Sequence, residues 1–64
     1  MKKYNRVMLK TDKFIAEGIK SGDTGFIIEK YGDGNFEVEF SNPNTGFTIA
    51  LIVASPNELE VVKE

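Results

Sequence analysis

Apolar and polar residues alternate most regularly around the dipeptide Asp33-Gly34. Residues 36–40 place two phenylalanines and a valine on one face and two glutamates on the other, which predicts a half-buried antiparallel strand. The apolar run at residues 26–28 has no polar face, which indicates a central strand covered on both sides or a bent one. An Asp-Gly pair between two such strands predicts a hairpin with a type I′ turn, and Gly32 permits a slightly longer loop.

The other segments predict three more short strands, at residues 6–10, 47–53 and 60–62. Asparagine, proline and glycine are clustered at residues 41–46, which is typical of a turn. Ser55-Pro56-Asn57-Glu58 carries an N-cap serine, a proline at the first helical position and a glutamate three residues after the serine. This spacing predicts a capping box on a single 3₁₀ turn just before the last strand.

Residues 11–21 form the longest stretch without strand periodicity, and two interpretations stay open. One is a short helical turn capped near Thr11 or Asp12. The other is a long loop that folds its apolar side chains over an open end of a barrel. Those side chains are Phe14, Ile15 and Ile19. We favour the loop because Gly18 interrupts any longer helix.

Five short strands with one helical turn before the fifth predict an all-β fold. The expected architecture is a small five-stranded SH3-like barrel that occupies residues 1–64 as a single domain, because closure removes exposed strand edges. A chain of 64 residues buries only about 60% of its unfolded surface, so it can form one small core. The predicted core comprises Val7, Leu9, either Phe26 or Ile27, Ile28, Phe36, Val38, Phe40, Ile49, Leu51, Val53, Leu59 and Val61.

Composition narrows the classes of function. The chain has no cysteine for a disulfide framework or a thiolate metal site, and no histidine, which is the usual general base and zinc ligand. A net charge of −2 argues against a general nucleic-acid binder. The apolar run at residues 49–54 is far too short to span a bilayer, and the first residues lack the apolar segment of a signal peptide. We therefore expect a cytoplasmic protein that does not associate with membranes.

One combination of motifs resembles a known family. The turn Gly-Asp-Thr-Gly at residues 22–25 precedes Tyr31 and the run Phe-Glu-Val-Glu-Phe at residues 36–40, with Gly46 and Thr-Ile-Ala at residues 48–50 further on. Together these motifs resemble the small bacterial family called domain of unknown function 4926, over residues 7–62. The resemblance implies an SH3-like barrel and supplies no catalytic residues. Because proteins of this kind are often encoded beside toxin-like proteins, it also implies an immunity or antitoxin role.

Acidic residues offer the only candidate catalytic chemistry. Glu37 and Glu39 lie on one strand face, about 7 Å apart by strand rise, which is within the range of a glycosidase pair. A barrel of this size leaves no room for a sizeable pocket, so we expect a solvated strand face and no enzyme. The run Asp33-Gly34-Asn35 followed by Glu37 is similar to part of a calcium loop but lacks the remaining ligands. We predict no catalytic residue, no metal site and no cofactor.

Carboxylates and two aromatic residues predict a surface that binds another protein. The candidate residues are Glu29, Tyr31, Asp33, Glu37, Glu39 and Phe47. Carboxylates steer the approach of a basic partner, and a buried aromatic side chain supplies binding energy. A nuclease toxin has a basic substrate groove, so the favoured function is a protein, monomeric on its own, that neutralises such a toxin by occluding the groove.

The alternative function is a KOW-like module that binds RNA or the ribosome. Seven of the eight basic residues precede residue 31, which permits a local basic patch in the first half of the chain. Lysines on strand edges, which discourage aggregation, explain the same distribution. A protein partner is therefore preferred over nucleic acid.

Overall fold

The computed structural model describes residues 1–63, which form five short strands and two single 3₁₀ turns. The strands are β1 (Arg6–Leu9), β2 (Thr24–Lys30), β3 (Phe36–Ser41), β4 (Thr48–Ala54) and β5 (Leu59–Val61). The 3₁₀ turns lie at Ile15–Glu17 and Pro56–Glu58. The all-β prediction is confirmed, as is the 3₁₀ turn before the last strand, where the Ser55 N–H donates to Glu58 Oε1 at 2.9 Å.

All five strands belong to one antiparallel sheet with the order β4-β3-β2-β1-β5. β4 and β5 are its two edges, and within residues 1–63 they do not pair with each other. Closure into a barrel therefore stays a prediction. One face of the sheet carries the core, to which every strand contributes. The buried core residues are Val7, Leu9, Ile19, Ile27, Phe36, Val38, Phe40, Ala50, Ile52, Ala54 and Leu59.

The hairpin between β2 and β3 has a different turn from the predicted type I′ turn. Tyr31 N–H donates to Asn35 O at 2.9 Å, and Gly34 N–H donates to Tyr31 O at 3.1 Å. Gly34 has a φ of 91°, whereas Asp33 does not have a positive φ. This is the three-residue loop in which a left-handed glycine follows a type I turn. The Asp33 carboxylate stabilises it by accepting the Asn35 N–H at 2.9 Å.

A bulge in β2 explains the apolar run that has no polar face. Ile27 pairs with Val38 and Glu29 pairs with Glu37, so Ile28 is an extra residue in the ladder. Ile27 is fully buried, Ile28 is half-buried and Phe26 is exposed on the opposite face. The bent-strand interpretation therefore holds, and neither Phe26 nor Ile28 belongs to the buried core as the sequence suggested it might.

The prediction for the buried face of β4 is wrong. Ile49, Leu51 and Val53 were predicted for the core but are 47%, 54% and 50% exposed. The buried residues are instead Ala50, Ile52 and Ala54. The reason lies on the neighbouring strand, where Phe40 is directly opposite Ala50 and Phe36 is directly opposite Ala54. The two phenyl rings occupy the inner volume beside them, so alanines face the rings, and Ile52 is buried between the alanines, opposite Val38.

The long segment between β1 and β2 is a loop that contains the first 3₁₀ turn. Its Ile19 is buried and Phe14 packs against the core, as predicted, but Ile15 is 61% exposed and the prediction for it is wrong. The turn begins after Phe14 and not at Thr11 or Asp12. Asp12 closes the loop instead, because its Oδ1 accepts the Ser21 N–H at 2.9 Å.

Candidate functional site

The face of the sheet that points away from the core combines carboxylates with large apolar side chains. Across β2, β3 and β4, one row consists of Phe26, Glu39 and Leu51. The next row consists of Glu29, Glu37 and Val53. We call these six residues the outer face. Directly opposite residues on antiparallel strands share a face, so their side chains are in contact range.

Like charges meet in the middle of the outer face. Glu29 and Glu37 are directly opposite each other on β2 and β3, an arrangement that destabilises a sheet. Lys3 lies near the margin of this pair, with its Nζ 4.0 Å from Glu29 Oε2. Glu39 accepts a hydrogen bond from the Thr48 hydroxyl at 2.8 Å, which orients its carboxylate beside β4. We call Glu29, Glu37 and Glu39 the negative column. Leu51 and Val53 lie beside it on β4, and Phe26 lies beside Glu39 on β2.

Tyr31 lies at the hairpin end of this negative column. Loss of solvent contact raises the pKa of its phenol, and the carboxylate of Glu37 raises it further, with contributions of the same sign from Glu29 and Asp33. The structure thus brings three of the other predicted partner-binding residues, Glu29, Asp33 and Glu37, together around Tyr31. The residue is 38% exposed, so it can still contact a bound molecule.

Two of the predicted partner-binding residues, Phe47 and Glu39, lie outside the cluster around Tyr31. Phe47 is 76% exposed, but it belongs to the connection between β3 and β4, at the end of β3 that is opposite to Tyr31. Glu39 lies between the two ends, one row from Glu37. Phe47 and Tyr31 therefore lie beyond opposite ends of β3.

Sequence reasoning missed the apolar half of the site. Phe26, Leu51 and Val53 were considered for the core, yet each is about half-exposed on the outer face. The signal that locates them is the pairing of two phenylalanines with two alanines across β3 and β4. A groove of about 510 Å³ continues the surface beyond Phe26, between the start of β2 and the turn that follows β3. Its walls include Phe26, Pro43 and Ile49.

Other kinds of site have little support in the described part of the chain. Within residues 1–63, no group of three or more acidic side chains is arranged to hold a metal ion. No helix among the same residues has the length and apolar character needed to cross a membrane. The outer face presents negative charge and exposed apolar area, which are the components of a docking surface.

Comparison with known proteins identifies a family match. The family model described as "Domain of unknown function (DUF4926)" matches residues 4–61, which include all five strands. Searches against curated proteins and solved structures find no match for the chain. The match agrees with the resemblance carried by the glycine turn, Tyr31 and the sequence of β3.

Proposed function

The chain belongs to the family described as "Domain of unknown function (DUF4926)", and we propose that it is a non-enzymatic protein-binding module. The outer face is its binding surface, and its partner is a basic protein. The proposed biological role is that of a cytoplasmic immunity or antitoxin protein, which neutralises a nuclease-like toxin by covering the basic groove that would otherwise bind nucleic acid.

The observation that carries this proposal is the position of Glu39. Its cross-strand neighbours are Phe26 and Leu51, both about half-exposed, so a carboxylate stands between two apolar side chains on an open face. A partner that places an arginine or lysine here gains a charge-assisted hydrogen bond while covering apolar area on both sides. Exposed apolar residues grouped in this way mark interaction sites.

The opposed carboxylates of Glu29 and Glu37 support the same interpretation. Placing like charges directly opposite each other costs a sheet roughly 0.2–1 kcal/mol. A sequence that breaks a local stability rule often does so at a functional site. A basic partner would convert this repulsion into attraction, and the negative column would increase the rate of association at low ionic strength.

We also propose that the sheet closes upon itself as an SH3-like barrel. All five strands and the long loop contribute to one core, and within residues 1–63 no long helix covers the sheet. A flat sheet would leave its inner face in water, so burial of that face favours a sheet that curls upon itself as in an SH3-like barrel. The loop residue Ile19 then covers one end.

Affinity capture with a charge-reversed variant tests the binding surface. The full chain is immobilised beside the Glu37→Lys/Glu39→Lys variant, and the proteins or nucleic acids that each retains are compared. The matched control is Glu17→Lys/Glu60→Lys, which changes net charge equally at two exposed positions away from the outer face. The purified captured molecule is then titrated with each chain at increasing salt concentration.

We expect a basic protein that binds the native chain and the control but not the Glu37→Lys/Glu39→Lys variant, with affinity that falls as salt rises. Inhibition of a nuclease activity of that protein would support the immunity role. Equal binding by both double variants would exclude the outer face as the site. Capture of RNA in place of a protein would favour the KOW-like alternative.

A further inference from the structure

The free edge of β4 has the features of a strand that pairs with a copy of itself. β4 is an edge of the sheet, and within residues 1–63 its backbone is hydrogen-bonded only to β3. Its seven residues include no charged side chain and no proline. Proteins usually protect an exposed edge with lysine, proline, a bulge or a very short strand. The other edge, β5, follows that rule because it has only three residues.

We propose that two copies of this chain pair through β4 in an antiparallel, two-fold symmetric arrangement that joins their sheets. Regular pairing with β3 extends from Ala50 to Ala54, since the bulge between the two strands falls before Ala50. The register that pairs all five of these residues is centred on Ile52. It places Leu51 opposite Val53 of the second copy, and Ala50 opposite Ala54 of the second copy.

This register is self-complementary. A shift by one residue would turn outward side chains inward, so only registers that keep Leu51 and Val53 on one face are compatible with both cores. On the outward side the pairs are apolar, and on the inward side alanine meets alanine and Ile52 meets Ile52 of the second copy. No charge is buried in either set. A two-fold interface needs a surface that fits itself in this way.

Charge permits a second copy at this edge, and the contact area indicates how tightly it would bind. The acidic residues of β3 in the two copies would be three strand spacings apart, about 14 Å, which exceeds the Debye length of about 8 Å at physiological salt. Repulsion between the negative columns is therefore weak. An edge contact of five residues lies in the small, transient class of interfaces, below roughly 1,200 Å². The chain is then a monomer when dilute and a dimer at high concentration.

Two measurements test the pairing. Sedimentation equilibrium of the full chain at concentrations up to about 1 mM should give an average mass that rises above that of the monomer. Leu51→Lys introduces charge at the edge and should keep the chain monomeric. Phe26→Lys makes the same change on an interior strand of the sheet and should dimerise as the native chain does.

Cross-linking fixes the register, because the chain has no cysteine of its own. We expect an equimolar mixture of Leu51→Cys and Val53→Cys chains to oxidise to the mixed disulfide faster than either chain alone, as read by intact mass. A Phe26→Cys chain should cross-link slowly. The proposal is overturned if the native chain stays monomeric at the highest concentration, or if Phe26→Cys cross-links as fast as the mixture. Neither result would bear on binding of a basic partner.

Discussion

Phe40 on β3 lies directly opposite Ala50 on β4, and both side chains are buried. The same arrangement recurs where Phe36 faces Ala54. In each case a large ring and a methyl group share one layer of the core, as close packing requires. This relationship decides which side of β4 is buried, and it leaves Leu51 on the surface.

Enlarging Ala50 should therefore destabilise the fold, whereas changing Leu51 should not. We expect Ala50→Leu to lower the free energy of unfolding by about 1–3 kcal/mol, because the added methylenes collide with a filled core. Leu51→Thr should change it by no more than about 0.5 kcal/mol. Urea denaturation of dilute protein measures both. The reverse order of effects would mean that β4 buries its other face.

The same strand shows what the sequence can and cannot predict. On β3, glutamates alternate with apolar residues, so the buried face and the positions of Glu37 and Glu39 were predicted correctly. On β4 both alternating sets are apolar, and periodicity alone cannot choose between them. The prediction chose Ile49, Leu51 and Val53. It was wrong because Phe36 and Phe40 of β3 fill much of the core, which leaves room opposite them only for alanines. The apolar half of the outer face was missed for that reason.

Local structure, such as helix caps and turns, was predictable where a few adjacent residues determine it. The capping box at Ser55 and Glu58 was predicted from spacing and is present. The hairpin loop was located correctly, but its turn type was not, because the Asp33 carboxylate accepts the Asn35 N–H and only Gly34 takes a positive φ. The cluster around Tyr31 depends on pairing between β2 and β3, including a bulge that the apolar run at residues 26–28 indicated only as one of two alternatives.

Titration of the Tyr31 phenol should detect the nearby carboxylates of the negative column. A Tyr4→Phe chain contains Tyr31 as its only tyrosine, so absorbance of the tyrosinate follows one group. We expect the pKa of Tyr31 to lie above its ordinary value of 10.0, through loss of solvent contact and the carboxylate of Glu37. Glu37→Gln should lower this pKa toward the value in denatured protein. An unchanged titration would mean that the two side chains do not interact.

The raised pKa of Tyr31 also predicts how stability changes in alkaline solution. The unfolded chain loses the phenolic proton first, so the contribution of the neutral phenol is fully present below about pH 10. It is lost as the pH rises through the higher folded value. Between pH 9 and pH 11 the free energy of unfolding of the Tyr4→Phe chain should therefore fall more steeply than that of the Tyr4→Phe/Tyr31→Phe chain, as urea denaturation would measure.

Glu58 should matter most for stability in mildly acidic solution. Lys13 Nζ lies 2.7 Å from its Oε2, and this contact, together with the Ser55 N–H, holds the pKa of Glu58 below its ordinary value of 4.5. The unfolded chain therefore binds the proton first as the pH falls. The stabilisation is present above about pH 4.5 and is lost as the pH falls through the folded value. At pH 7 we expect Glu58→Gln to cost about 0.2–1 kcal/mol, the contribution of a partly exposed ion pair.

Denaturation by urea across pH 3–7 measures this effect, with Glu60→Gln as the control at a nearby exposed carboxylate. The stability curve of Glu58→Gln should be flatter below pH 4.5 than that of the native chain. Some acid dependence should remain, because the Lys20 N–H and the Lys20 ammonium lower the pKa of Asp23 as well. A Glu58→Gln curve parallel to the native one would contradict the role assigned to the Lys13 contact.

Gly25 has no room for a side chain, and replacing it should have the largest effect on stability. It is buried on β2, and a Cβ added there would lie 2.5 Å from the Glu39 backbone oxygen and 3.0 Å from a ring atom of Phe40. Since the oxygen belongs to the paired strand, relief requires β2 and β3 to separate at the centre of the sheet. We expect Gly25→Ala to lower the free energy of unfolding by about 1–3 kcal/mol.

The matched control is Gly32→Ala. A Cβ added at Gly32 has no atom within 4 Å and φ is not positive there, so a gain in stability of about 0.4–1 kcal/mol is expected. Equal stability of the two variants in urea would show that β2 and β3 do not approach each other at Gly25.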